Sequence, residues 1–220
     1  MEFGLFAEIS PLNPRFIAGH ERLKLTLEVR LPEIATAVPP AAFVKALEDL
    51  FPGLALHRCC GENRIHETLF MQEPDDIVDI AHLLEHLIID FQHAIADMSA
   101  CSGITCGYES PRCRYDIFVE SPARNVSELC VAVASALMNE LLRGRAPDSM
   151  YARVVKLARW FNGHPGSRIS SAAAARFLHG EARHPDAVRV LGVLRDMGFI
   201  AEIETSMNFS RMPVYALRDS

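Results

Sequence analysis

Residues 75–98 read DDIVDIAHLLEHLIIDFQHAIADM and carry the strongest helical pattern in the chain. At 100° steps, the apolar side chains share one broad arc: Ile77, Ile80, Ala81, Leu84, Leu87, Ile88, Phe91 and Ile95. The polar side chains share the opposite arc: Asp79, His82, Glu85, His86, Asp90 and His93. Pro74 precedes the stretch, and aspartates in its first turns complement the positive end of a helix dipole. The pattern predicts a half-buried helix from Asp75 to about Met98.

The polar arc contains the motif HxxEH, formed by His82, Glu85 and His86. Histidines four residues apart project side by side from a helix, so both imidazoles can reach one zinc ion. Glu85 lies on the same face, where its carboxylate can take a proton from an attacking water molecule. HxxEH is the inverted form of the HExxH zincin motif and predicts a hydrolytic metal site. A solvated, histidine-rich helix face is the alternative interpretation.

Two stretches with period-two alternation flank this helix along the chain. Arg22–Leu31 places five apolar side chains on one face, and Arg114–Glu120 alternates in the same way, so both are predicted strands. The segment Ser99–Gly107 between the helix and the second strand is rich in small residues and is predicted to be a turn. Further helices are predicted at Ala41–Phe51 and Asn125–Leu142. The expected fold class is α+β, with a small sheet packed against the long HxxEH helix.

The balance of charge changes sign after Gly144–Asp148, a segment typical of a linker. Residues 150–220 are net basic, whereas the residues before them are strongly acidic. Three short helical patterns followed by two strand-like runs predict a winged-helix-like unit. They lie at Met150–Phe161, Ser170–Leu178, Pro185–Met197, Phe199–Thr205 and Pro213–Leu217. We therefore expect a metal-binding domain at residues 1–145 and a winged-helix-like domain at residues 149–220.

The winged-helix-like domain has two candidate kinds of partner, DNA and protein. Its third helix is largely apolar, and Arg183, Arg189 and Arg195 point at wide angles around it rather than along one stripe. Arg211 and Arg218, on or after the wing, are the remaining candidates for phosphate contacts. A protein partner, a homodimer or an intramolecular contact is therefore favoured over DNA.

The composition narrows the class of protein. A chain of 220 residues with 50% apolar residues and a net charge of −6 is not disordered. No apolar run approaches the roughly 18 residues that span a bilayer, and the N-terminal residues lack the pattern of an export signal. We expect a cytoplasmic protein without membrane contact. Cys101, Cys106 and Cys113 have a spacing that fits no common zinc pattern, so buried or incidental thiols are expected.

Four short segments follow one another in an order that resembles the N-terminal domain of cyanophycin synthetases. They are His57-Arg58-Cys59, HLLEHLIIDFQ at 82–92, GYES at 107–110 and RYDIFVE at 114–120. The resemblance covers about residues 20–145, with matching positions at His82, Glu85, His86, Leu87, Gln92, Glu109, Tyr115 and Glu120. It implies an α/β module, which in some members of that family looks like a zinc metallopeptidase that trims the polymer.

The resemblance also supplies a third metal ligand. Glu109 follows the turn after the helix and matches the family's glutamate, and Glu120 is the second choice. We interpret His57 and Cys59 as a buried structural pair. His93 is expected beside the site or on the surface.

Two departures from the family bear on the substrate. The chain has no room for the ATP-grasp and ligase domains, so we expect a stand-alone domain with an added module rather than a synthetase. The turn Cys106–Glu109 lacks the arginines that precede the family's glutamate, so the metal site carries over better than specificity for the Asp-Arg polymer.

We therefore predict a zinc-dependent hydrolase, a peptidase or amidase, with a peptide or amide substrate. His82, His86 and Glu109 bind zinc or another divalent metal, and Glu85 is the general base. The alternative is a non-enzymatic regulator or adaptor whose winged helix binds DNA or a protein partner. A third interpretation is an interaction protein that binds no metal.

Overall fold

The computed structural model of the chain describes residues 5–11, 21–29, 41–57, 59–60, 65–66, 80–98, 101–111, 113–203 and 213–218. The strands are β1 (Leu5–Pro11), β2 (Glu21–Val29), β3 (Cys59–Cys60), β4 (Ile65–His66), β5 (Gly103–Gly107), β6 (Arg114–Ser121), β7 (Arg168–Ser170), β8 (Ile200–Ile203) and β9 (Val214–Leu217). The α-helices are α1 (Ala41–Leu50), α2 (Ile80–Ala96), α3 (Arg124–Leu142), α4 (Met150–Gly163), α5 (Ser171–His179) and α6 (Pro185–Asp196), and a 3-10 helix at Pro52–Leu56 follows α1. The protein is thus a mixed α and β fold. Each described helix falls short of the length or the apolarity needed to cross a bilayer.

The main sheet is antiparallel and has the strand order β1-β2-β6-β5. In its central pair, Leu27 lies opposite Tyr115 and Leu25 lies opposite Ile117. Every second side chain of β2 is buried, as its period-two pattern predicts, so one face of the sheet is apolar. Residues 30 and 31 of the predicted strand lie outside the described residues.

The prediction of a turn at Ser99–Gly107 is wrong for its second half. Gly103–Gly107 form β5, which pairs antiparallel with β6. Glycine and other small residues are poor strand formers, which is why the local pattern indicated a turn. In the register, Gly103 lies opposite Val119 and Thr105 opposite Ile117, so these small residues share the sheet face that looks toward α2.

The prediction that α2 buries only one face is also wrong. α2 packs against β5 and β6 on one side and against α3 and α4 on others. As a result, Glu85, His86 and Asp90 of the polar arc are only 4%, 4% and 7% exposed. These three side chains therefore face other parts of the protein, so the alternative of a fully solvated histidine-rich face does not hold. The predicted first turns at Asp75–Asp79 lie outside the described residues.

A buried polar chain connects α2 to its neighbours. The side chain of Gln92 is fully buried, and its Nε2 donates to Ser127 Oγ of α3 at 2.8 Å. Its Oε1 accepts from the Cys101 thiol at 3.1 Å. Ser127 Oγ also shares a hydrogen bond with Ser121 Oγ at the end of β6. Both ends of the Gln92 amide are satisfied, which removes the cost of burying it.

Residues 150–217 contain a second, three-stranded antiparallel sheet of order β7-β9-β8. Along the chain the elements follow as α4, β7, α5, α6, β8 and β9, so the predicted helices and strand-like runs are present. The short strand β7 was not indicated by the sequence pattern. Ser170 caps α5 by accepting a hydrogen bond from the Ala173 amide at 3.2 Å, and Gly180 ends it with φ 77°, a conformation that favours glycine. Arg211 lies outside the described residues.

One hydrophobic core runs through both parts of the chain. Leu157 and Phe161 of α4 are completely buried and belong to the same cluster as the apolar side chains of α2. Asn162 Nδ2 also donates to the carbonyl of Ile95 at the end of α2, at 3.3 Å. α2, which precedes residues 144–149, and α4, which follows them, are therefore packed together.

We expect the two parts of the chain to unfold together. Phe161→Ala should lower the free energy of unfolding by about 3–5 kcal/mol and shift a single transition, because the cavity opens in the shared core. Arg159→Ala on the same helix is the matched control; its exposed ion pair with Asp97, at 3.3 Å, should contribute at most about 1 kcal/mol. Urea unfolding followed by circular dichroism measures both variants. Two separate transitions in the wild-type chain would contradict a shared core.

Candidate metal centre

The three residues of the motif converge. Potential ligand atoms of His82, Glu85 and His86 all lie within 4.8 Å of one another, and we call these residues the HxxEH group. The Nε2 atoms of His82 and His86 are 3.1 Å apart. A tetrahedral zinc ion with Zn–N bonds of about 2.0–2.1 Å holds two nitrogens about 3.3 Å apart. The observed separation suits a shared divalent metal.

Burial keeps one of these imidazoles neutral. Desolvation lowers the pKa of His86 to about 3, and the neighbouring rings of His82 and His57 add to the effect. A neutral imidazole has a free lone pair, which is the form that binds a metal. His86 is therefore in the neutral, metal-binding form at any pH near neutrality.

β5 holds the carboxylate of Glu85 in place. Thr105 Oγ1 donates a hydrogen bond to Glu85 Oε2 at 2.5 Å. A Cβ atom at position 103 would come within 2.7 Å of Glu85 Oε1 and 2.9 Å of Glu85 Cγ, so any larger residue here would displace the Glu85 side chain. Sequence reasoning missed both residues, because Gly103 and Thr105 become informative only when β5 is recognised as a strand that faces α2.

His57 lies beside the HxxEH group. It follows the 3-10 helix, and its Nδ1 is 3.2 Å from His86 Nδ1. Its Nε2 is 3.4 Å from Asp90 Oδ1, one helical turn beyond His86. His57 is thus close to the HxxEH group, and its interpretation as a structural residue stays a prediction. The side chain of its expected partner Cys59 lies outside the described residues.

The remaining acidic and histidine candidates lie apart from the HxxEH group. Glu109 is exposed in the bend after β5. Glu120 faces the other side of the sheet from α2, where it accepts from the Ser102 amide at 3.0 Å and pairs with Arg22 at 3.3 Å. His93 Nδ1 contacts the Met98 carbonyl at 2.8 Å. Glu109 as third ligand stays a prediction.

Four cysteines whose side chains the structure describes are free thiols: Cys101, Cys106, Cys113 and Cys130. Cys106 is exposed, whereas Cys101 is partly buried. Burial raises the pKa of the Cys101 thiol to about 12, with the carboxylates of Glu120 and Glu85 adding to the shift. A thiol with such a pKa is neither a ready metal ligand nor a nucleophile, which fits the expectation of incidental thiols.

A second group of potential ligands lies at the junction of α5 and α6. His179, His184 and Asp186 have ligand atoms within 4.8 Å of one another. The two imidazole rings are stacked, with centroids 3.6 Å apart and planes only 13° from parallel. Lone pairs in nearly parallel planes do not converge on one ion, and Arg153 already pairs with Asp186 at 3.2 Å. This group is therefore a poorer metal site than the HxxEH group.

Comparison with known proteins gives a match for one part of the chain. No curated protein matches the chain. A family model described as the cyanophycin synthase-like N-terminal domain matches residues 22–143, which is more than half of the chain. The match runs from β2 to the end of α3 and includes the HxxEH group, and residues 144–220 lie outside it. The chain therefore belongs to the cyanophycin synthase-like N-terminal domain family.

Proposed function

We propose that the protein is a metal-dependent hydrolase that cleaves peptide or amide bonds. The observation that carries the proposal is the pair of imidazoles, one buried and one half-buried, with Nε2 atoms 3.1 Å apart, next to a carboxylate that β5 holds in place. A structural role does not need this arrangement, because a buried glutamate and two histidines cost desolvation energy that apolar residues would not.

The residues of the HxxEH group and Thr105 have separate roles in the proposed reaction. His82 and His86 hold the metal, which supplies a Lewis acid that polarises a carbonyl and activates water. Glu85 takes the proton of the attacking water and returns it to the leaving nitrogen. The Thr105 hydroxyl keeps the Glu85 carboxylate aimed at this position. Zinc suits such ligands best, although other divalent ions bind similar sets.

Glu109 is our proposed third ligand. The support is its match to the family's glutamate and its place in the exposed bend between β5 and β6, directly after the strand that touches Glu85. Its carboxylate would join His82 and His86 by a rearrangement of this bend on metal binding.

The family and the residues before Glu109 indicate which substrates to test. The family name makes the Asp-Arg polymer cyanophycin one probe, to be tested beside ordinary peptides and amides. The missing arginines before Glu109 favour a different peptide or amide.

We place the protein in the cytoplasm, where free thiols such as the exposed Cys106 stay reduced.

We propose that residues 149–220 form a winged-helix-like domain that contacts a protein, a second copy of the chain, or the first domain at residues 1–145. The order helix, strand, helix, helix, strand, strand supports this identity. The cations of α6 are already paired within the chain: Arg189 with Asp148 at 3.0 Å, and Arg195 with Asp196 at 2.9 Å. A DNA-reading helix needs such cations free for phosphates, so the regulator that binds DNA is the second candidate.

Metal content is the first test. We expect about one zinc per chain after zinc loading and dialysis, lost in the double variant His82→Ala, His86→Ala. Zinc at 100 times its dissociation constant should stabilise the wild-type chain by about 2.7 kcal/mol. The double variant His179→Ala, His184→Ala is the control and should keep its zinc. Elemental analysis without zinc in the wild-type chain would contradict the metal site.

Turnover is the second test. Glu85→Gln should keep its zinc, because the ligands are untouched, and should slow hydrolysis by about 10²–10⁴-fold, because the proton acceptor is gone. Glu128→Gln, which alters an exposed carboxylate paired with Arg124 at 2.7 Å, is the matched control. Rates are measured on peptide, amide and cyanophycin substrates. Full activity in Glu85→Gln would rule out this general base.

DNA binding separates the two candidate functions of the C-terminal part. We expect the chain not to be retained on duplex DNA at about 50 mM salt, because the α6 cations are paired. Sedimentation velocity in the same buffer reports whether a second copy is bound instead. Retention that weakens with salt and falls in Arg218→Ala would support the DNA-binding regulator.

A further inference from the structure

His57 and Asp90 extend the polar contacts of His86 from the ring nitrogen that does not contact His82. His86 contacts His82 through Nε2 and contacts His57 through Nδ1. The other nitrogen of His57 lies against Asp90 Oδ1. The side chains of His57 and Asp90 are only 13% and 9% exposed. The side chains of His86, His57 and Asp90 therefore form a continuous series of polar contacts with little access to water.

The donor and acceptor roles of these groups determine which ring nitrogens carry protons. A carboxylate carries negative charge and only accepts hydrogen bonds, so Asp90 Oδ1, 3.4 Å from His57 Nε2, favours the His57 proton on that nitrogen. The lone pair of His57 is then on Nδ1 and faces His86, which must carry its own proton on Nδ1. The lone pair of His86 is left on Nε2, the atom next to His82 Nε2.

We infer that His57 and Asp90 are positioning residues that fix the tautomer and orientation of His86 for metal binding through Nε2. This inference rests on the proposed function of the HxxEH group as a metal site. Partners that hold the second nitrogen of a ligating histidine typically strengthen metal binding 10- to 100-fold. His57 comes from a segment outside α2, so the 3-10 helix contributes to the site.

Gly53 supports the same inference independently. It lies in the 3-10 helix, and a Cβ atom there would come within 2.6 Å of Asp90 Oδ1. That oxygen is also the one nearest His57 Nε2. The absence of a side chain at position 53 thus leaves the carboxylate free to occupy the position from which it reaches His57.

Two substitutions of His57 separate polarity from shape. His57→Gln keeps an acceptor for His86 and a donor for Asp90, whereas His57→Phe keeps a ring and loses both. We expect His57→Phe to weaken zinc binding about 10- to 100-fold and His57→Gln to stay within a few-fold of the wild-type chain. A purely structural role would favour the ring and reverse this order. Competition with a chromophoric chelator gives the affinities, and the absorption spectrum of bound Co²⁺ reports the ligand geometry.

Matched controls complete the experiment. His93→Phe replaces another imidazole of α2, with its ring 6.3 Å from that of His57, and should leave zinc affinity unchanged. Gly53→Ala should fold, because only the end of the Asp90 side chain must shift, and should weaken zinc binding several-fold. Gly192→Ala, where a Cβ meets open space, is its control.

The outcomes distinguish the two proposals. If the wild-type chain binds zinc and both His57 variants bind it equally well, the positioning inference is wrong and the metal site stands. If the wild-type chain binds no zinc, the proposed function fails and the inference fails with it. If His57→Phe does not fold, unchanged affinity in Gly53→Ala overturns the inference, and weakened affinity supports it.

Discussion

The burial of three polar side chains on one helix is the constraint on which the rest of the structure depends. Glu85, His86 and Asp90 lie on the arc of α2 that a surface helix would turn to water. Each needs a partner inside the protein, because an unpaired buried polar group costs about 1–3 kcal/mol and a charged one more. These partners come from the segments packed around α2: the Thr105 hydroxyl of β5 and the His57 ring after the 3-10 helix.

The periodic parts of the fold could be predicted from the sequence, because they follow from local geometry. The alternation in β2 reflects a sheet with one apolar face, and HxxEH places two imidazoles on one turn of α2. The strand β5 could not be predicted in this way. Its glycine at position 103 is unfavourable for a strand, and it leaves open the space that the Glu85 carboxylate occupies.

The same limit applies to His57 and to the C-terminal part. His57 is separated from His86 by 29 residues, and a single sequence does not show that a loop brings them together. The charge pattern suggested a separate unit after residues 144–148, yet the structure shows that α4 has a buried apolar face. That face packs into the core shared with α2, because Leu157 and Phe161 need an apolar surface that their own small sheet does not cover alone. Local patterns indicate that a surface is buried, but they do not identify its partner.

The central strand pair has a consequence for how the protein folds. β2 and β6 are neighbours in the sheet although some 90 residues separate their paired positions, and α2 lies between them in the chain. Closing such a long loop costs chain entropy before any contact repays it, so this pairing is expected to be slow compared with helix formation. α2 can form early from local interactions, but its polar arc is enclosed only after β5 and β6 have joined the sheet. High-affinity zinc binding should therefore develop during refolding only when the β2–β6 pairing is complete. It would not accompany the earlier formation of α2, the helix that carries the ligands.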